Sequence, residues 1–216
     1  MQLSTRRGMH RFSWDLHYDP VTAGDTVPQT DEEANGAVPH RTYTTVNAPW
    51  APPGNYTVRL TVNGQSSTQP LVLRLDPRVK TPAAGLAQLA TLSVQLYDAA
   101  VATHAAYLEA RSLASTVGET SPLRAQLDSI APPPVRGAGR RGGPGRRGGA
   151  GDATLTLNGA SDALLAAAMA MQSADVTPTA AQLAAAVRAR TQANAAMARW
   201  NSLRTAAGRH VGSRGR

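Results

Sequence analysis

The sequence predicts an α+β protein in two parts, an antiparallel β region followed by an antiparallel helical bundle. Three observations predict it. Residues 56–62 alternate apolar and polar side chains, and an apolar return at 71–75 follows Asn63-Gly64, a dipeptide that tolerates positive φ at both positions and is the strongest short hairpin signal. At Thr81-Pro82 the composition turns Ala-rich, and apolar residues then recur at intervals of three and four, the spacing of one helix face. An Arg/Gly/Pro run interrupts the helical half. The expected boundaries are 1–80 for the β part and 81–131 for the first half of the bundle. A disordered linker covers 132–152, the second half of the bundle 153–207, and a disordered basic tail 208–216.

The first expected strand is "MHRFSWDLHY", residues 9–18. Phe12, Trp14, Leu16 and Tyr18 fall on one face and Arg11, Ser13, Asp15 and His17 on the other, a period of two that predicts one buried face. Residues 19–48 are rich in turn formers, with a short strand open as a reading at "HRTYTTV", 40–46. Pro52-Pro53-Gly54 is a rigid entry to the hairpin. Tyr56, Val58, Leu60 and Val62 alternate along its first strand, and Leu71, Val72, Leu73 and Leu75 form the return. Pro70 lacks an N–H and belongs at the start of pairing or on an edge. Asp76-Pro77 ends the strand.

The helices have conventional starts. Thr81, Ser121 and Thr177 are each followed by proline, a capping residue before the ring that suits the first helical position. The first helix is expected to run to about Ser115 with Leu89, Leu92, Leu96, Ala99, Thr103 and Tyr107 on one face. A short helix follows over 121–131. Residues 154–175 begin ambiguously at "TLTLNG" and become helical. The last helix, 177–208, has Leu183, Val187, Arg190, Asn194, Met197 and Trp200 as its expected seam. Alanine allows close helix approach but buries little area, so at about 25 cal/mol per Å² the bundle core is modest and is expected to depend on docking against the β part.

Of the 216 residues, 42% are apolar but only 4% aromatic, and there is no cysteine, so disulfides and thiolate metal sites are excluded. The net charge of +8 is concentrated. Arg136, Arg140, Arg141, Arg146, Arg147, Arg209, Arg214 and Arg216 account for all eight charges, leaving the remainder neutral. Basic character therefore points to nucleic acid only through the linker and tail. No apolar run of about 18 residues is present, so no membrane span is expected, and "MQLSTRRGMHRF" lacks the apolar stretch of a secretory signal.

Chemistry-bearing residues are sparse. His10, His17, His40, His104 and His210 are scattered, without the helical pairing that metal sites use. His17 and Asp19 flank a strand end and read first as solvated, second as an acid/base or metal pair. Asp31-Glu32-Glu33 lacks the spaced oxygens of a calcium loop. No nucleophile elbow, phosphate loop or dinucleotide fingerprint occurs in a strand-to-helix context. Asn55-Tyr56-Thr57 matches a glycosylation sequon, read as incidental within a strand. Trp14 and Trp200 are expected in the core, while Trp50, in a Pro-rich loop, is the one candidate for a carbohydrate platform; its structural reading is a cap on the end of the β part. Arg141-Gly142-Gly143 and Arg147-Gly148-Gly149 look like RNA-binding elements, but no aromatic residue interleaves them, so a plain loop is preferred. No catalytic, cofactor-binding or metal residue is assigned, no cofactor is expected, and the chain reads as a non-enzyme.

"GMHRFSWDLHY" (8–18), "APPGNYTVRLTVNGQSSTQPLVLRLDPRV" (51–79), "QSADVTPTAAQ" (172–182) and "ARWNSL" (198–203) resemble the C-terminal region of large bacterial sialidase-like or sortilin-like β-propeller proteins, many of them labelled glycosyl hydrolases by analogy. The resemblance implies an incomplete immunoglobulin-like antiparallel β-sandwich ahead of the helical bundle. It implies a non-catalytic accessory role, with a β-propeller domain of the same parent chain or a neighbour as partner, and an extracytoplasmic location. No propeller motif is present, so no catalytic residue carries over. Family sandwiches begin with further strands, whereas only "MQLSTRRG" precedes the first strand here. The expectation is a fragment of a longer protein with an exposed sheet edge. The alternative is a binding module, for glycan through the sandwich or for RNA through the Arg/Gly loop.

Overall fold

The computed structural model describes residues 8–9, 14, 16–21, 48–134 and 156–213. Two strands, β1 (Gly54–Val62) and β2 (Gln65–Leu73), precede four helices, α1 (Ala83–Thr116), α2 (Pro122–Ile130), α3 (Leu157–Met171) and α4 (Ala180–Ser213).

β1 and β2 pair antiparallel through the expected turn, Val62 opposite Gln65 and Gly54 opposite Leu73. Asn63 and Gly64 take φ of 50° and 81°, the left-handed pair that matches the twist of a two-residue hairpin. The rest of the expected sandwich is absent among the described residues. Trp14 and 16–21 form no strand; His17 makes a single isolated bridge with Trp50. The expected alternation fails there because Leu16 adopts φ of 65° and turns the chain. Trp14 and Tyr18, expected inside, are 36% and 37% exposed. The possible strand at 40–46 lies outside the described residues.

The helical half forms as four elements, with two of its expected starts adjusted. Pro82, not Thr81, is the N-cap residue of α1, and its side chain makes no capping bond. Thr81 instead donates its hydroxyl to the Asp175 carbonyl at 2.5 Å. Ser121 caps α2 as expected, accepting from the Leu123 amide, with Pro122 at the first helical position. Thr156 caps α3 through the Gly159 amide, which resolves "TLTLNG" as a helix start. α4 begins after Thr179, not at Thr177. Thr179 Oγ1 accepts from the Gln182 amide and Gln182 Oε1 accepts from the Thr179 amide, a reciprocal capping box. α4 also runs to Ser213, so 208–213, expected in a disordered tail, is helical.

Contacts fix the directions of the helices. α2 folds back on the end of α1, with Arg124 reaching the Ala114 carbonyl and Arg111 reaching Asp128. α3 also runs against α1, since Ser161 donates to the Ala100 carbonyl while Gly85, near the start of α1, abuts Thr177 beyond the end of α3. α4 reverses again, so its start lies by α3 and its far end brings Arg204 to Glu109. α1 and α4 are thus parallel long rods, and α2 and α3 cover successive lengths of α1.

Leu96, Leu127, Ile130, Leu157, Leu164, Met171 and Trp200 are the large fully buried side chains of the bundle. The rest is mostly alanine, with Leu89, Leu165 and the hydroxyl residues Ser93, Thr103 and Ser161. On α4 the buried positions are Ala186, Ala189, Ala193, Ala196, Trp200 and Ala207, a repeat of three and four that keeps one narrow seam inward. This corrects the expected seam: Val187 is 64% exposed, and Arg190 and Asn194 face solvent. No hairpin residue belongs to the core cluster. The bundle therefore has its own core, contrary to the expectation that it leans on the β part.

Candidate interaction surface

β1 and β2 carry a two-faced hairpin. The register places Tyr56, Val58, Leu60 and Val62 on one face with Gln65, Ser67, Gln69, Leu71 and Leu73, and Asn55, Thr57, Arg59 and Thr61 on the other with Ser66, Thr68, Pro70 and Val72, so β1 supplies most of the apolar side. The apolar face is uncovered among the described residues: Val58, Leu60 and Val62 are 53%, 50% and 56% exposed. Only its base is sheltered. Trp14 meets the ring of Tyr56 edge-on at a centroid distance of 5.6 Å, and the Tyr56 hydroxyl donates to the Pro52 carbonyl at 2.5 Å. Burial, and then the neighbouring Tyr18, pushes the Tyr56 phenol above its usual value. On the polar face Thr61 and Ser66 hydroxyls bond across the strands at 2.8 Å.

The hairpin meets the bundle at a small junction. The Tyr18 amide donates to the Pro49 carbonyl and the Ala51 amide to the Leu16 carbonyl, at 2.9 and 2.7 Å. The Trp50 amide donates to Gln172 Oε1 at 2.9 Å, tying the hairpin entry to the end of α3. The Tyr97 hydroxyl of α1 donates to the Asp19 carbonyl at 2.7 Å. Burial raises the Tyr97 phenol, and Asp19, Asp98 and Tyr18 raise it further. Between these anchors lies a cleft of about 90 Å³ lined by Trp50, Pro52, Leu75, Leu89, Gln172 and Asp175.

Of the three tryptophans, Trp200 is buried in the bundle and Trp14 lies exposed over the hairpin base. Trp50 is 49% exposed, with one ring face against the His17 imidazole at 3.7 Å. His17 is therefore engaged with an aromatic ring, and Asp19 offers its carbonyl to Tyr97. His104 lies on α1 beside the Tyr107 ring. Among the described residues no three His, Asp or Glu gather as a metal set, and no helix is long and apolar enough to cross a membrane. His10, His40, the Asp31-Glu32-Glu33 run and both Arg-Gly-Gly elements lie outside the described residues, and His210 falls in α4 without a described side chain.

Gln172 was not legible as a partner of Trp50, because the two are joined only by the folding of a bundle 122 residues later in the chain. Comparison with known protein families, with curated proteins and with solved structures returns no match.

Proposed function

We propose that this chain is a non-catalytic accessory module whose hairpin mediates packing or assembly with a β-rich partner. In this reading the hairpin is the last part of an immunoglobulin-like sandwich. The partner is a β-propeller domain of the same parent protein or of a neighbour, as the sequence resemblance implies. The observation that carries the reading is the uncovered apolar face at Val58, Leu60 and Val62. Nine-residue strands at roughly 3.4 Å per residue and about 4.8 Å apart give a face of about 300 Å². About half of that face is apolar, since Gln65, Ser67 and Gln69 share it, so covering it is worth about 4 kcal/mol gross at roughly 25 cal/mol per Å² of apolar area, before the cost of association. A two-stranded hairpin alone is marginal in water, so such a face has a physical reason to be covered.

The test is co-purification with a propeller domain encoded beside or upstream of this chain. Leu60→Lys, which places a charge in the middle of the face, is expected to lower the affinity at least tenfold while the helical circular dichroism stays unchanged. Association that survives Leu60→Lys and Val58→Lys together refutes the reading.

A second reading, glycan binding, is favoured by the half-exposed Trp50 in a cleft with Gln172 and Asp175. An aromatic face beside amide and carboxylate groups suits a sugar ring. Binding of oligosaccharides that is lost in Trp50→Ala and kept in Leu60→Lys would select it over assembly.

A further inference from the structure

We infer that β1 accepts an added strand along its outer edge from an acidic, strand-forming segment of another polypeptide. The inference rests on the assembly reading and names its geometry and its partner chemistry.

The register separates the two edges. Val62 and Gln65 close the two-residue turn, and from a closing pair of this kind hydrogen-bonded and non-bonded pairs alternate along an antiparallel ladder. Counting back, Val62, Leu60, Val58, Tyr56 and Gly54 direct their main-chain groups toward β2. Asn55, Thr57, Arg59 and Thr61, opposite Val72, Pro70, Thr68 and Ser66, direct theirs outward. The outer edge of β1 is thus four residues long without a break, each offering an N–H and a carbonyl. The outer edge of β2 loses a donor at Pro70, near its middle. Among the described residues no other backbone group bonds to the outward groups of β1. An incoming strand therefore adds at β1, with about eight main-chain hydrogen bonds for the four residues at two per pair.

The same register sets the side chains of that strand. Residues beside Tyr56, Val58, Leu60 and Val62 extend the apolar face and should be apolar; those beside Thr57, Arg59 and Thr61 lie on the polar face. Charge chooses between candidates. The hairpin and its exit carry Arg59, Arg74, Arg78 and Lys80 against the single carboxylate of Asp76, and that carboxylate is held by Arg78 at 2.6 Å. Two copies would bring these net-positive hairpins and exits together, and they repel. An acidic donor whose Glu or Asp faces Arg59 replaces that repulsion with attraction.

The experiment uses the full chain and a synthetic nine-residue peptide alternating Val and Thr, with Glu placed to face Arg59. A shuffled peptide of equal composition is the control. Expected are saturable binding and slowed amide exchange at Thr57, Arg59 and Thr61 but not at Thr68. Thr57→Pro removes an outward donor while leaving the β1–β2 ladder intact, and should weaken binding at least tenfold. Thr68→Pro, on the edge already interrupted, should change it less than twofold. Arg59→Glu should weaken the Glu peptide and restore binding to its Lys counterpart, a swap that misfolding does not mimic. Equal binding of the shuffled peptide, or protection on β2, overturns the inference. Sensitivity of partner assembly to Leu60→Lys without sensitivity to Thr57→Pro keeps the assembly reading and overturns the edge. Light scattering that shows a dimer broken by Thr57→Pro makes a second copy the occupant and overturns the acidic partner.

Discussion

Gly85 is where α1 and the α3–α4 connection come closest, and Gly85→Ala sets two effects of opposite sign against each other. A Cβ built on Gly85 would stand 2.1 Å from Thr177 Oγ1, 3.1 Å from Thr177 Cβ and 3.4 Å from Thr177 Cα. In a helix interior, replacing glycine with alanine gains about 1 kcal/mol. Gly85 lies in the first turn of α1, where fewer intrahelical bonds depend on it, so the gain is nearer 0.5 kcal/mol. Against it stands overpacking, which costs about 1–3 kcal/mol. The exposed Thr177 side chain relieves the shortest overlap by rotating about χ1, but its Cβ does not move with that rotation. The net expectation is a loss of about 1 kcal/mol, which lowers Tm by about 2–4 °C for a chain of this size. Urea melts of Gly85→Ala, Thr177→Gly and the double variant measure it as a cycle. Thr177→Gly deletes the two closest atoms and leaves only an ordinary contact, so the double variant should recover the loss seen in Gly85→Ala on its own background. A stabilised Gly85→Ala, or additive effects in the cycle, refutes the close approach of α1 to the α3–α4 connection.

Two further outcomes follow from the bundle. Trp200 is 1% exposed at the centre of the α4 seam, so Trp200→Ala should cost about 3–5 kcal/mol, seen as an earlier urea midpoint; a loss under about 1 kcal/mol contradicts its burial. Asp128 bonds Arg111 at 2.5 Å and Arg124 at 2.8 Å, and the Arg111 bond first, then Arg124, holds its carboxyl below the usual range. A lowered folded-state pKa contributes stability that is complete above the unfolded value near pH 3.9 and is lost as pH falls through the folded value. Tm of the parent protein should therefore gain an extra decline below about pH 4. In Asp128→Asn that part of the decline should vanish, at a cost near neutral pH of about 1 kcal/mol; identical pH profiles for the two chains refute the role.

What was legible in the sequence was local chemistry. Asn63-Gly64 fixed the hairpin because few residues tolerate two positive φ values in succession. Ser121-Pro122 fixed α2 because a hydroxyl before a proline ring meets both demands of a helix start. Where two local signals competed, the stronger network won. Thr177-Pro178 was the expected start of α4, but Thr179 and Gln182 bond in both directions and set the start two residues later. The phase of α4 was only partly legible, since a helix with alanine on every side presents several equally apolar stripes: Trp200 and Met197 pack inward as expected, whereas Val187 loses to Ala189 and Ala193 because smaller side chains bring the helices nearer. Trp14 misled for another reason. Alternation implies a buried face only while the backbone stays extended, and Leu16 breaks that condition at φ of 65°. The outward edge of β1 was accessible in principle, because the turn at 63–64 and the proline at 70 together fix which main-chain groups face out.

The way the apolar residues are divided bears on function more directly than any single side chain. The bundle closes its core with helix residues, and none of Val58, Leu60 or Val62 enters it. Removing the apolar character of the hairpin therefore takes nothing from the packing that holds the helices, while retaining it costs solubility at an exposed edge and face. A hairpin that served only to connect elements would carry polar residues on both faces without penalty. The hairpin is also held at fixed points, through Trp50 to Gln172 and Thr81 to Asp175, so the bundle presents it in one position. Presentation of this kind lowers the ordering cost that a free hairpin would incur on meeting a partner. Substitutions that loosen those two ties should weaken association with the apolar face unaltered, whereas a bundle that merely carried a solvated ribbon would show no such coupling.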